Sequence, residues 1–338
     1  TGAACPLRPR PSAWSRTQAD GKQTFGILRE IERLLEHDTA RDAISGLKWT
    51  RQTTAKIAAQ LNRLRIRVSP RTVARLLHKL RFSLRVNRKK VGPRHPLREA
   101  QFAHIGKLRE RFRRQGNPVI STDAKKRELV GNFKNAGAKW DRTPTRVNDH
   151  DFRSQADGIA ILYGIYDLHA NRGTMFVGVS HETSAFAVAS IRTWWQREGS
   201  KRYPGKKHLL ILADTGGSNS AARGAWKDQL QRFCDHSGLS ITVAHYPTGA
   251  SKYNPIERRL FSMISKNWAG EPLRSYEKIL KFIRTTSTTT GLKVRAYLDR
   301  KNYPVGEKPS AERLRQLHLK RHEVAPKWNY TIVPSNVK

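Results

Sequence analysis

The stretch that decides the fold is His208-Leu-Leu-Ile-Leu-Ala-Asp214-Thr-Gly-Gly-Ser-Asn219, with Ile241-Thr-Val-Ala-His-Tyr246 and Ser251-Lys-Tyr-Asn-Pro-Ile-Glu257-Arg-Arg-Leu-Phe261 after a helical interval. Short apolar runs bounded by turn residues read as buried strands. Leu209–Ala213 is therefore expected to be a central strand that delivers Asp214 to its carboxyl end, and Ile241–Tyr246 a strand beside it. Asn254 suits an N-cap and Pro255 the first helical position. Glu257 then falls at N3 of a helix whose apolar face is Leu260, Phe261, Ile264 and Trp268. Upstream, Pro118-Val-Ile-Ser-Thr-Asp123 repeats the pattern of a strand ending in Asp. Three carboxylates at such points can hold divalent cations. Each has a plainer reading: an Asp at a strand end forms turns, and a Glu at N3 closes a capping box. Their order and context favour the joint site.

The chain has 338 residues, which suggests two domains plus tails. Its formal charge of +38, with a pI near 11.0, calls for a polyanionic partner. No apolar run approaches the ~20 residues of a membrane span, and no signal peptide is evident. A cytoplasmic, nucleoid-associated protein is expected, with neither a membrane nor a small-molecule substrate as partner. Cys5 and Cys234 are the only cysteines. They support neither a disulfide framework nor a structural zinc site.

Five regions are expected. Residues 1–24 form a disordered basic arm, 25–95 a helix-turn-helix DNA-binding domain, 96–116 a connecting helix, 117–270 the catalytic domain, and 271–338 a helical, basic extension. From Arg51 to Arg98 there are 15 Lys or Arg and no Asp or Glu. Within this window Thr54–Leu64 places Ile57, Leu61 and Leu64 on one face. Val73, Leu76, Leu77 and Leu80 recur at helical spacing behind Ser69, a natural N-cap, and Pro70. Two short amphipathic helices joined by a tight turn read as a helix-turn-helix. Arg71, Thr72, Arg75 and Lys79 of the second helix are candidates for DNA contact. Arg85, Arg88, Lys89 and Lys90 are candidates for phosphate contact.

From residue 117 the sequence reads as strands Val119–Thr122 and Glu128–Phe133, an insertion over residues 134–157, and a hairpin with arms Ile161–Leu168 and Thr174–Val179. A helix Ser184–Glu198, the Asp214 strand, a helix Ala221–Asp235, the Ile241 strand and the Glu257 helix follow. The α/β order β-β-β-α-β-α-β-α matches a ribonuclease H-like (RNase H-like) mixed sheet flanked by helices. In that fold, acids at the ends of the first and fourth strands meet one from a later helix.

The strings Asp123-Ala-Lys-Lys-Arg-Glu-Leu-Val-Gly-Asn-Phe-Lys-Asn-Ala-Gly137, Tyr163-Gly-Ile-Tyr-Asp167, Ala213-Asp-Thr-Gly-Gly-Ser-Asn219, Tyr253-Asn-Pro-Ile-Glu-Arg-Arg-Leu-Phe261 and Trp328-Asn-Tyr-Thr-Ile332 resemble bacterial insertion-sequence DDE transposases of the Rhodopirellula-transposase family. So does Ser69–Lys90. The resemblance implies metal-dependent DNA strand cleavage and transfer at Asp123, Asp214 and Glu257 with two Mg²⁺ (or Mn²⁺) ions. Asp123 would bridge both ions, Asp214 would hold one and Glu257 the other. It also implies double-stranded DNA, both element ends and target, as the partner, and a homo-oligomer assembled on DNA. Lys125, Lys126 and Lys252 are further candidates for DNA contact. The chain departs from the family pattern at Arg65 and Arg81, where glycine is common at the ends of the two DNA-binding helices, and at Thr215. Less secure C-caps are expected at the first two, and strain at Thr215 if its φ is positive.

The turn Thr215–Asn219 is either a phosphate cradle or a plain strand-to-helix connection. His181, His208 and His245 are expected to be structural, and Trp194 and Trp195 to pack. No chemistry is legible in 271–338 beyond a helix Ser275–Arg284 and a Thr/Ser run, Thr285–Thr290. The alternatives to an active transposase are a catalytically silent DNA-binding derivative and a cellular nuclease of the same fold.

Overall fold

A computed structural model describes residues 25–35, 40–41, 48–49, 53–83 and 96–335. The chain divides into two compact units, Thr1–Lys90 and Val91–Lys338. Among the described residues no helix is long and apolar enough to cross a membrane.

In the first unit, helix α1 covers residues 25–35, and strand β1 (Ala40–Arg41) pairs antiparallel with β2 (Lys48–Trp49). Helices α2 (Thr54–Arg63) and α3 (Pro70–Lys79) follow. Thr53 caps α2 by accepting from the Lys56 N–H, and Ser69 caps α3 by accepting from the Thr72 N–H. Ile31, Leu35, Ile57, Ala58, Leu61, Val73 and Leu76 form the core. The expected apolar positions thus close a three-helix unit, except that Leu64 is exposed. Both helices end in the same motif. Arg65 donates to the Asn62 carbonyl at 3.0 Å and Ile66 to that of Leu61 at 2.9 Å, while Arg81 donates to His78 at 3.0 Å and Phe82 to Leu77 at 2.8 Å. This Schellman pattern puts a left-handed residue just past the C-cap. Arg65 and Arg81 occupy that place with φ of 62° and 63°.

The second unit opens with α4 (Arg98–Arg114) and is built on an eight-stranded sheet. Its strands are β3 (Val119–Val130), β4 (Gly158–Asp167), β5 (Arg172–Gly178), β6 (His208–Ala213), β7 (Ser240–His245), β8 (Lys293–Asp299), β9 (Leu319–Arg321) and β10 (Asn329–Ile332). They lie in the order β8-β5-β4-β3-β6-β7-β10-β9. β3, β4 and β5 form an antiparallel meander, and β6 and β7 continue parallel to β3. That core is the RNase H-like mixed sheet. The strands expected at Val119–Thr122 and Glu128–Phe133 are one strand whose pairing with β4 shifts between Lys125 and Glu128. A bulge carries the strand past the polar residues that split its apolar pattern.

Helix α5 (Ser184–Trp194) runs through a π-helical turn, Trp195–Gly199, into α6 (Ser200–Arg202). With α7 (Gly224–Ser237) it covers one face, where Trp194, Trp195 and Trp226 join Leu209, Ile211, Ile241 and Val243. On the other face Leu210 and Leu212 pack beneath Ile105, Leu108 and Phe112 of α4. β6 is therefore buried on both faces, which explains its unbroken apolar run. The Glu257 helix begins at Pro255, makes a π turn over Glu257–Phe261 and continues as α8 (Ser262–Asn267). With α9 (Tyr276–Thr285) it buries Ile256, Leu260, Phe261, Ile264, Trp268, Ile279 and Ile283 against Leu162, Met175 and Val177. α7 starts at Gly224 rather than Ala221, because a 3₁₀ turn, Gly217–Asn219, and a loop intervene.

The residues after 270, where only one helix was legible, also supply β8, β9, β10 and the short α10 (Ala311–Arg315). β8 buries alternate residues, Val294 and Ala296. Its intervening Lys293 and Arg295 made it read as a polar segment.

Local packing makes two outcomes measurable. The left-handed region costs an L-residue about 1–2 kcal/mol, of which the backbone entropy of glycine takes back about 0.5–1 kcal/mol. Arg65→Gly and Arg81→Gly should each stabilise the first unit by about 0.5–1 kcal/mol in urea denaturation. Gly164 of β4 lies under the Glu257 helix, and a Cβ there would stand 2.9 Å from the Ile256 Cδ1 and against the Phe261 ring. Gly164→Ala should therefore destabilise the second unit by about 1–3 kcal/mol in the same measurement. A loss below ~0.5 kcal/mol would mean that the helix can lift without cost.

Candidate active site

Asp123 lies on β3, opposite Gly164 of β4. The parallel register pairs Ser121 with Leu212. Carried on by two residues, it sets Asp123 level with Asp214, which directly follows β6. The third acid arrives from the helix, and hydrogen bonds seat that helix on β3. The Ser121 hydroxyl donates to the Asn254 Oδ1 and accepts from the Ile256 N–H at 3.1 Å, and the Asn254 Nδ2 donates to the Thr122 carbonyl at 3.4 Å. Asn254 thus uses its side chain to pin the helix start beside Asp123. Its own N–H donates to the Ser251 carbonyl at 2.8 Å. That N–H is the group a capping-box Glu257 would satisfy, and it is already taken. Among the described residues the Glu257 carboxylate accepts no hydrogen bond.

The three acids feel one another. Asp123 is 8% exposed, and its pKa is pushed up to about 8, first by burial and then by the charge of Asp214, with smaller contributions from Glu257 and Glu182. The N–H of Ala124, 2.8 Å from the Asp123 Oδ1, opposes the rise. Glu257 is also raised, by burial and by Asp214, against the pull of Lys125. Among the described residues, however, no three His, Cys, Asp or Glu side chains are disposed to hold a metal ion as they stand. Mutual repulsion is reason enough for the acids to share a field without closing into a shell. The donor set itself fits a hard divalent cation: carboxylate oxygens, two with raised pKa values, and few internal hydrogen bonds to give up. The side chains would have to swing inward to close on it.

Neighbouring groups hold this arrangement. Asn219 is buried; it accepts from the Tyr163 hydroxyl at 2.8 Å, and its carbonyl lies 2.8 Å from the His245 Nε2. The His245 Nδ1 lies 2.8 Å from the Trp328 carbonyl. Two carbonyl partners are satisfied together only by the doubly protonated ring, whereas burial pushes its pKa down. His245 is structural, as expected, while His181 and His208 are exposed. In the loop after Asp214 the positive φ falls on Gly217, at 59°, so Thr215 is unstrained. The Ser218 N–H points at the Glu182 Oε1, 3.3 Å away. The protein's own carboxylate therefore occupies the place that a phosphate cradle would offer. Glu182 was missed from sequence, since Ser180-His-Glu-Thr183 carries no motif.

The basic candidates fare differently. Arg71, Arg75 and Lys79 are exposed on α3, whereas the Thr72 hydroxyl is 3.0 Å from that of Ser69 within the cap. Arg85, Arg88, Lys89 and Lys90 lie outside the described residues. The Lys125 side chain is only 10% exposed; its ammonium sits 2.8 Å from Glu128 and 4.7 Å from the Trp268 ring centroid. It faces into the fold, while Lys126 and Lys252 are exposed.

A family model described as the Rhodopirellula transposase DDE domain matches residues 30–334. The chain belongs to this family. No curated protein sequence matches it. Solved structures, three of Mos1 transposase among them, resemble this family member at low identity. A Mos1 transposase paired-end complex with the left transposon end is 19% identical, with 75% of this chain and 69% of that chain covered and a TM-score of 0.40. A pre-cleavage Mos1 transpososome is 18% identical over 75% and 69%, with a TM-score of 0.42. A Mos1 mariner paired-end complex with Mn is 17% identical over 83% and 73%, with a TM-score of 0.38.

The raised pKa of Asp123 gives a signed expectation for this transposase-family chain. A carboxyl whose folded pKa lies above its ordinary 3.8 contributes stability that is complete below that value and is lost as pH rises through about 8. The melting temperature without metal should fall as pH rises across this window, and by less in Asp123→Asn. A divalent cation takes over the proton's role, so Mg²⁺ or Mn²⁺ should raise the melting temperature more near pH 8 than near pH 5. Equal metal shifts at both pH values, or the same shift in Asp123→Asn, would remove Asp123 from the metal site.

Proposed function

We infer that the chain is an active transposase that binds insertion-element ends and cuts and joins DNA at Asp123, Asp214 and Glu257. The observation that carries this reading is the shared electrostatic field of these three acids, on two adjacent strands and a helix pinned to one of them. Family membership and the +38 charge support it.

Asp123, level with Asp214, would help to hold both of two Mg²⁺ or Mn²⁺ ions; Asp214 would hold one and Glu257 the other. When bound, such ions neutralise charge on a pentacoordinate phosphate and lower the pKa of the attacking water. Glu257, with no internal hydrogen bond and a raised pKa, would orient the attacking water and accept its proton. The water oxygen attacks phosphorus, the bond to the 3′ oxygen breaks, and the leaving oxygen takes a proton to give a free 3′-hydroxyl. In strand transfer that hydroxyl attacks a target phosphodiester, and a 3′ oxygen of the target leaves in its place. Arg71, Arg75 and Lys79 of α3 would contact the element ends, and Lys126 and Lys252 the phosphates near the acids. Two or more copies would assemble on a pair of ends.

Asp214→Asn keeps the shape but removes a charge and the strongest oxygen donor. It should abolish strand cleavage while duplex binding stays unchanged. Glu257→Gln should do the same. Gln serves as well as Glu in a capping box, so Glu257→Gln cutting at the parental rate would return Glu257 to a structural role. Parental protein that binds element ends yet never cuts with Mg²⁺ or Mn²⁺ would favour the silent DNA-binding derivative.

A further inference from the structure

The helix that carries Glu257 presents the next two residues, Arg258 and Arg259, to solvent. Both line two adjoining cavities of about 420 and 330 Å³, which also share Asn171 and Thr290. The first cavity extends to Arg109 of α4 and to Tyr253; the second extends to Thr288. No carboxylate lines either cavity. Among the described residues no ion pair engages Arg109, Arg258 or Arg259. Two other arginine-lined cavities of this unit do include carboxylates, Glu198 in one and Glu182, Asp228 and Glu307 in the other.

The rest of the lining is neutral and ordered by hydrogen bonds. The Tyr166 hydroxyl donates to the Asn171 Oδ1 at 2.9 Å, the Asn171 Nδ2 donates to the Thr290 carbonyl at 2.9 Å, and the Thr288 and Thr290 hydroxyls are 2.9 Å apart. Tyr253, which lines the first cavity alone, is 45% exposed. The Arg98 guanidinium lies 5.7 Å from its ring centroid and the Lys252 ammonium 5.2 Å. Three guanidinium groups converging without a counter-ion describe a site for a chain of phosphates. Phe102 meets the Tyr253 ring at 5.1 Å between centroids, and the exposed remainder of Tyr253 is a surface against which a base of any identity can pack.

We propose that this groove holds the sugar–phosphate backbone of a single DNA strand as it leaves the acid cluster, with Arg109, Arg258 and Arg259 on its phosphates and Tyr253 against a base. The Thr/Ser run over residues 285–290 acquires a role as one wall of the groove. The proposal rests on the reading of this unit as DNA-processing, but its test needs no catalysis.

The full-length protein is titrated in EDTA with a single-stranded DNA oligonucleotide of arbitrary sequence over a range of salt concentrations. Every phosphate that a variant no longer neutralises should reduce the slope of log affinity against log salt by about 0.7. Arg258→Gln/Arg259→Gln should therefore lower the slope by about 1.4, and Tyr253→Ala should weaken binding with the slope unchanged. Arg315→Gln/Lys320→Gln, an exposed pair outside the groove with the same change in charge, is the control. An unchanged slope in the Arg258/Arg259 variant, or an equal fall in the control, would leave only the general field of the protein and overturn the groove. A fall seen with an RNA oligonucleotide and absent with DNA would assign the groove to RNA and also overturn the proposal. Cleavage with an unchanged slope defeats the groove alone, and a changed slope without cleavage defeats the catalytic reading alone.

Discussion

Glu257 reaches the other two acids because the sheet beneath its helix lacks side chains where the two come closest. Gly164 lies under Ile256 and Phe261, and a Cβ at Gly173 would run into Leu260. The approach sets two forces against each other. Like charges ~8 Å apart repel by about 2 kcal/mol at an effective dielectric of about 20. Against this, each large apolar side chain fully buried contributes about 1.5–3 kcal/mol, and Ile256, Leu260, Phe261, Ile264 and Trp268 are all buried on that face. Packing wins by a wide margin. The fold can therefore hold three acids in one field without a cation, and part of the remaining cost is met by the proton that Asp123 retains.

The acids were legible because each sits where two sequence patterns meet: an apolar run with its terminating Asp, or an N-cap and Pro with a following Glu. The place of β7 beside β6 was legible for the same reason, since both are short, largely apolar runs between turn signals. Less legible was anything whose pattern is diluted by charge. β3 read as two strands because its bulged middle is polar, and β8 was overlooked because Lys293 and Arg295 alternate with its buried residues. Glu182 comes near Asp123, and Arg109 near Arg258 and Arg259, only through the tertiary fold, and no spacing rule reaches across such distances in sequence. The capping-box reading of Glu257 could not be weighed from sequence, because it turned on which acceptor the N–H of Asn254 had already found.

The two units handle local strain in opposite ways. In the second unit the left-handed positions fall mainly on glycines, including Gly217 in the loop after Asp214 and Gly238 at the end of α7. In the first unit the corresponding helix ends carry Arg65 and Arg81. A basic side chain in a strained place trades stability for charge on a surface already rich in it.

The pairing of β7 with β10 reaches to the far end of the chain. Asn329 exchanges hydrogen bonds with Gln101, 228 positions earlier, and the Trp328 carbonyl lies beside the His245 ring, close behind the loop that carries Asp214. During synthesis, β7 emerges long before its partner and must wait with an open edge, the kind of surface that recruits other strands. β9 and β10, two of the eight strands, therefore join the sheet only after translation has passed residue 332. A chain that stops before Trp328 still holds all three acids in its sequence, but His245, which meets the Asn219 carbonyl in the loop after Asp214, lacks the Trp328 carbonyl on its other side.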